Sequence, residues 1–151
     1  MTTDTDTFTF ERDFPLPPAR MWGLMTDPKM REIWGAPGED TVLEMLSSDL
    51  RIGGTDKHRC GPAEAPDFEV ATRWYHLAEP QDAVFTEVIE AGGATLGASL
   101  VTYRIDAREA GSRVSITVAV SSFVGPEMIA EFKDGWTGGV DNLVRLAQKE
   151  G

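Results

Sequence analysis

From Pro126 onward, Met128, Ile129, Phe132, Trp136, Val140, Leu143, Val144 and Ala147 recur at three- and four-residue spacing. That spacing predicts one long helix with a single apolar stripe, which a stable fold must cover. Glu127 near its start and Arg145 and Lys149 near its end suit the helix dipole. Gly135, Gly138 and Gly139 fall in its middle, where each weakens an isolated helix by about 1 kcal/mol relative to alanine. A closely packed neighbour or a kink is expected to compensate.

The segment before this helix supplies the cover. From residue 41 the chain breaks into short runs separated by turn signals, the mark of an antiparallel sheet. Strands are expected at 41–47, 55–60, 68–78, 83–90, 97–107 and 112–121. In the last, Val114, Ile116, Val118 and Val120 alternate with Ser115, Thr117 and Ala119, giving one buried and one wet face. Residues 109–112 make the hairpin turn before it.

Nearer the start, Phe8, Phe10 and Phe14 suit a first strand with one irregular step. Pro17 and Pro18 open a short helix carrying Met21, Trp22, Leu24 and Met25. Asp27 as N-cap and Pro28 at the first helical position start a second, carrying Met30, Ile33 and Trp34 and ending at residues 35–38. The fold class is therefore α+β. One domain is expected over 8–151, after a frayed start at 1–7 that does not read as a secretion signal.

Composition narrows the partners. Fourteen basic against 25 acidic residues leave a net charge of −11, which disfavours nucleic acid and anionic membranes. Cys60 is the sole cysteine, so no internal disulfide forms, and no apolar run approaches the roughly 20 residues of a membrane span. A cytoplasmic protein is expected, with a homodimer left open.

The order of the motifs carries a resemblance. A strand and a helix precede "TDP" at 26–28; "WG" follows at 34–35, "DLRIGG" at 49–54, "EP" before "AVFTE" at 83–87, and "GW" at 135–136 before "VDNLVRLA". This resembles the activator-of-heat-shock-protein-90-ATPase-like (AHSA-type) family of the START/SRPBCC superfamily, over nearly the whole chain. The resemblance implies a helix grip: a curved antiparallel sheet of about seven strands around the C-terminal helix, with a cavity between them. The family pattern usually has proline where Ile52 stands, often a second tryptophan beside Trp34, and commonly an aromatic where Asp56 stands. The eukaryotic namesake has an additional N-terminal domain for which 151 residues leave no room, so a chaperone partner and a stress-response role are implied by the family name alone.

Within that frame, "DLRIGG" reads as a glycine turn tied down by Asp49 and Arg51. Alternatively, Arg51 reaches inward to a ligand carboxylate. In the next strand Asp56, His58 and Cys60 share one face, expected to point into the cavity, where each buried polar group needs a partner. A zinc site from Asp56, His58, Cys60 and His76 lacks a close-spaced ligand pair. A cysteine–histidine catalytic pair lacks assured contact. A polar patch orienting a mostly apolar ligand, or one that holds water, suits the pattern better. Trp22, Trp34, Trp74, Phe85, Tyr103, Phe123, Phe132 and Trp136 are candidates for the cavity wall, although ordinary core is the preferred reading of any single one.

Trp74 and His76 are expected on one strand face, as are Phe85 and Glu87. Glu87 turned inward would be an acid–base group; an exposed glutamate at a strand end is the preferred reading. "GWTGG" at 135–139 lacks the lysine and context of a phosphate loop. The reading that follows is a binding protein for a small hydrophobic molecule, with no cofactor and no metal. The alternatives are a cyclase- or hydrolase-type enzyme using Glu87, His58 and His76, and an interaction protein that modulates a chaperone.

Overall fold

A computed structural model describes residues 3–151. The elements run β1 (Asp4–Phe14), α1 (Pro18–Thr26), α2 (Pro28–Trp34), β2 (Thr41–Ser47), β3 (Thr55–Pro62), β4 (Phe68–Ala78), β5 (Asp82–Ala91), β6 (Ala94–Arg108), β7 (Gly111–Ser122) and α3 (Pro126–Glu150). The strands form one antiparallel sheet in the order β1-β7-β6-β5-β4-β3-β2. Each of the six later strands falls where the turn signals placed it, with β6 starting three residues earlier, at Ala94.

The start of the chain departs from expectation. Residues 4–7 pair with 119–122 as the beginning of β1, so only residues 1 and 2 of the segment expected to fray lie outside the described residues. β1 also runs in unbroken register to Phe14, with no irregular step. Arg12 takes the inward parity near the sheet's end and lays its guanidinium 5.9 Å from the centre of the Phe10 ring. Its stem covers apolar surface while its charge stays wet.

Asp27 caps α2 as its residue type requires. Its Oδ1 accepts the backbone N–H groups of Lys29 at 2.8 Å and Met30 at 3.2 Å. Trp34 at the far end of α2 donates its indole N–H to the Leu24 carbonyl at 2.8 Å, fastening α2 to α1.

The two halves of α3 behave differently. Val140, Leu143 and Ala147 are buried against the first strand, the last strand and α1 and α2. Leu143 alone contributes about 1.5–3 kcal/mol by leaving water. Met128, Phe132 and Trp136, one to three turns earlier, are only partly buried, because the first half of the helix stands away from β3, β4 and β5. The helix glycines mark the change. A Cβ on Gly138 would lie 2.7 Å from Pro37 Cβ and 2.8 Å from its carbonyl oxygen, so close approach to the α2–β2 loop requires glycine there. A Cβ on Gly135 would meet nothing within 4 Å, because that face of the helix looks into open space.

Candidate functional site

The open space is a cleft of about 270 Å³ between the first half of α3 and the concave face of the sheet. Phe132, Gly135 and Trp136 form the helix side, Trp34, Pro37 and Leu43 the α2–β2 side, and Val70, Ile89 and Leu96 much of the sheet side. At the β6 side Met128 closes it. A Cβ on Gly97 would lie 2.8 Å from Met128 Cε, so the bare glycine lets that side chain rest on the strand. The lining is mainly apolar, with Arg31, Thr41, His58, Cys60, Glu87 and Glu131 as its polar members.

Strand register explains where the polar members come from. One row across the concave face reads Asp56, Thr72, Glu87 and Ser99, each paired with the next strand's residue. The row on one side reads His58, Val70, Ile89 and Gly97, and on the other Trp74 pairs with Phe85 and Phe85 with Val101. A polar band thus separates the cleft lining from an aromatic layer deeper in the core. All four side chains of the band are buried.

Arg31 enters this band from α2. Its Nη1 lies 3.5 Å from Asp56 Oδ2, and the two side chains keep 5% and 1% of their exposure. Such a pair persists only with further hydrogen bonds, and Asp56 Oδ1 accepts one from the Asp49 backbone N–H at 2.7 Å. Its guanidinium also stands about as far from the Trp74 and Phe85 rings, at 6.0 and 5.9 Å.

Burial sets the protonation of the rest. Desolvation first, and the Arg31 charge second, push the His58 imidazole down to about 3, so it is neutral near pH 7. Desolvation raises the Glu87 carboxyl above its ordinary range, with Arg31 pulling the other way. The Cys60 thiol is pushed up to about 11 by burial and then by Glu87. Burial, too, raises Tyr103. His58 Nδ1, Thr72 Oγ1, Trp74 Nε1, Ser99 Oγ and the Tyr103 hydroxyl find no hydrogen-bond partner among the described residues.

Of the residues expected around the cavity, Trp34, His58, Cys60, Phe132 and Trp136 line the cleft. Asp56 faces inward, but it is held by Arg31 beneath the lining. Trp22, Trp74, Phe85 and Tyr103 belong to the packed core behind it. Phe123 is 40% exposed beyond β7, because the strand ends at Ser122.

Arg51 is exposed and pairs with Asp49, Nε to Oδ2 at 2.8 Å, rather than reaching inward. The glycine turn it belongs to is structural. Gly53 adopts a φ of 84°, its N–H donates to the Trp74 carbonyl at 2.7 Å, and the Trp74 N–H donates to the Gly54 carbonyl at 3.0 Å. Only glycine takes that φ without strain.

His76 does not share a face with Trp74. A bulge between the two shifts the register, pairing Trp74 with Phe85 and His76 with Val84, so His76 turns outward to solvent. The zinc set therefore never assembles, and no group of three or more His, Cys, Asp or Glu side chains is placed to hold a metal among the described residues. A raised thiol beside a neutral imidazole is likewise the reverse of an activated cysteine–histidine pair.

Glu87 corrects the preference for an exposed glutamate: it is 6% exposed and lines the cleft. Its parity with Ala83, Phe85 and Ile89 carried that signal. Arg31 was not among the expected site residues, although it lies three residues before Trp34 on the same helix face.

A seven-stranded antiparallel sheet closed by one long C-terminal helix defines a helix-grip protein of the SRPBCC-like class. Residues 15–148 match the family described as activator of Hsp90 ATPase homolog 1-like protein, and the chain belongs to that family. A structure from Rhizobium leguminosarum is 20% identical over 98% of this chain and 97% of its own, with a TM-score of 0.82. One from Rhizobium loti is 24% identical over 96% and 99%, with a TM-score of 0.83. An AHSA1-like protein from Aeromonas hydrophila is 20% identical over 97% and 94%, with a TM-score of 0.72. At these identities the likeness is one of fold. No curated protein matches the chain in sequence. No helix among the described residues is long and apolar enough to cross a membrane.

Proposed function

We propose that this protein binds a small, largely apolar molecule in the cleft between α3 and the sheet. The observation that carries the reading is an apolar cleft of about 270 Å³ with a buried polar band beneath one side. Ligand pockets combine apolar walls with a few placed polar groups, and roughly 300 Å³ is the lower end of their usual size. A molecule of one to three rings, or a short acyl chain, suits that volume. Gly135 supports the reading further: it weakens the helix by about 1 kcal/mol relative to alanine, yet no neighbour needs the room it leaves.

The test uses N-phenyl-1-naphthylamine, a neutral dye that brightens in apolar surroundings. Saturable enhancement is expected with the wild-type protein and its loss with Gly135→Leu, whose side chain would project into the cleft. Absence of saturation, or equal enhancement in a folded Gly135→Leu protein, would contradict a binding role for this cleft.

Glu87 favours one second reading, proton transfer on a bound molecule, because a buried carboxyl with a raised pKa in an apolar cleft is the arrangement that chemistry uses. Once a ligand is known, deuterium exchange into it from heavy water, lost in Glu87→Gln with binding retained, would separate catalysis from binding. A chaperone partner rests on the family name, and pull-down from lysate tests it.

A further inference from the structure

We infer that the cleft selects a ligand whose polar head is uncharged, a hydroxyl above all, over the matching carboxylate or ammonium. This rests on the binding role proposed above and narrows it to a chemical class.

Among the described residues, Arg31 is the only lysine or arginine that lines the cleft. An anionic head would naturally seek it, but Asp56 already faces that guanidinium at 3.5 Å from within the fold. Glu87 also lies near enough to feel the Arg31 charge. A carboxylate entering here would compete with one buried acid and approach a second. It would leave water for an apolar-walled site whose one lining cation among the described residues is already paired.

An ammonium head fares no better. It would meet Arg31, a like charge, and would depend on Glu87, whose burial favours the uncharged form. Glu131, the other lining carboxylate, is exposed on α3, where water screens it.

What the floor offers is neutral hydrogen bonding. His58 is 3% exposed and uncharged, and its Nδ1 has no partner among the described residues. A neutral imidazole presents one donor and one acceptor, and a protonated carboxyl does the same. A hydroxyl both donates and accepts, so it can satisfy either group without bringing a charge out of water. The three polar side chains that line the cleft and are buried, Arg31, His58 and Glu87, come from three different elements. The selectivity is therefore a property of the assembled site and not of one strand.

The test compares naphthol, naphthoate and naphthylmethylammonium, three probes with one ring system and three heads, by isothermal titration on the wild-type protein near pH 7. Naphthol is expected to bind at least about tenfold more tightly than either charged analogue. Naphthoate binding as tightly as naphthol would show Arg31 free to take an anion and would overturn the inference. Tighter binding of the ammonium would show an ionised Glu87 and overturn it too. Either outcome leaves the binding role standing. Failure of all three probes together with a silent N-phenyl-1-naphthylamine titration would instead sink the binding role and the inference with it.

Discussion

Acidification from pH 6.5 to pH 5 should remove about 1.7 kcal/mol of folding stability through His58 alone. An unfolded histidine titrates near ~6.5, whereas burial and then Arg31 push this one down to about 3 in the folded protein. Between those values the unfolded chain binds a proton that the folded chain refuses. Stability is therefore fully present above the unfolded value and falls by ~1.4 kcal/mol per pH unit as pH drops toward the folded one. Glu87 acts with the opposite sign: its folded pKa is raised, so its contribution is present at low pH and declines as pH rises above the ordinary carboxyl range. A wild-type curve sums the two.

The difference between wild type and His58→Gln isolates the histidine. Arg31 from α2, Asp56 and Cys60 from β3, and Glu87 from β5, the ionisable groups around it, are common to both proteins. Urea unfolding followed by tryptophan fluorescence at pH 6.5 and pH 5 measures each stability. The wild type should lose about 1.7 kcal/mol more than the variant over that interval. Loss by both proteins to within about 0.5 kcal/mol would refute the reasoning, because His58 would then accept its proton in the folded state.

Other consequences follow from single neighbours. Arg31→Met leaves Asp56 buried without its ion partner and should destabilise by roughly 3–5 kcal/mol in urea, with most of it recovered in Arg31→Met/Asp56→Leu; equal losses in the single and double variants would contradict this. Gly135→Ala should raise the thermal midpoint, by up to about 1 kcal/mol of stability, while Gly138→Ala should lower it because the Pro37 backbone occupies the space. Similar shifts for both would mean that the helix does not approach the α2–β2 loop as described. Cys60, with its thiol at about 11, holds a thiolate fraction of only about 10⁻³ near pH 8, against roughly a quarter for an ordinary thiol. Its alkylation should be at least ~100-fold slower than that of glutathione; a comparable rate would show the thiol to be open to water.

Much of the framework was readable because burial on one face imposes a period. Val114 to Val120 and the α3 stripe carry periods of two and near 3.6, and both elements lie where those periods put them. The aromatic layer was harder to assign. Trp74 and Phe85 have the right parity for the concave face, but only the neighbouring strands decide whether an inward side chain meets the cleft or the core. The face of His76 escapes the alternation because one bulge residue inverts the parity of everything after it, and Tyr-His carries no sign of a bulge. Arg31 is hidden for a different reason. A charged residue between Met30 and Ile33 reads as a solvated face, whereas Ile33 is the exposed one and Arg31 turns in to meet Asp56. That partner is 25 residues away in sequence, beyond the reach of any local pattern.

The most direct test of a ligand-binding cleft is native mass spectrometry of the protein isolated gently from its own host, beside Gly135→Leu prepared in the same way. The account predicts a stoichiometric adduct of a small, largely apolar molecule on the wild-type chain and its absence from the folded variant. A wild-type chain carrying no adduct, or the same adduct on both proteins, would contradict it.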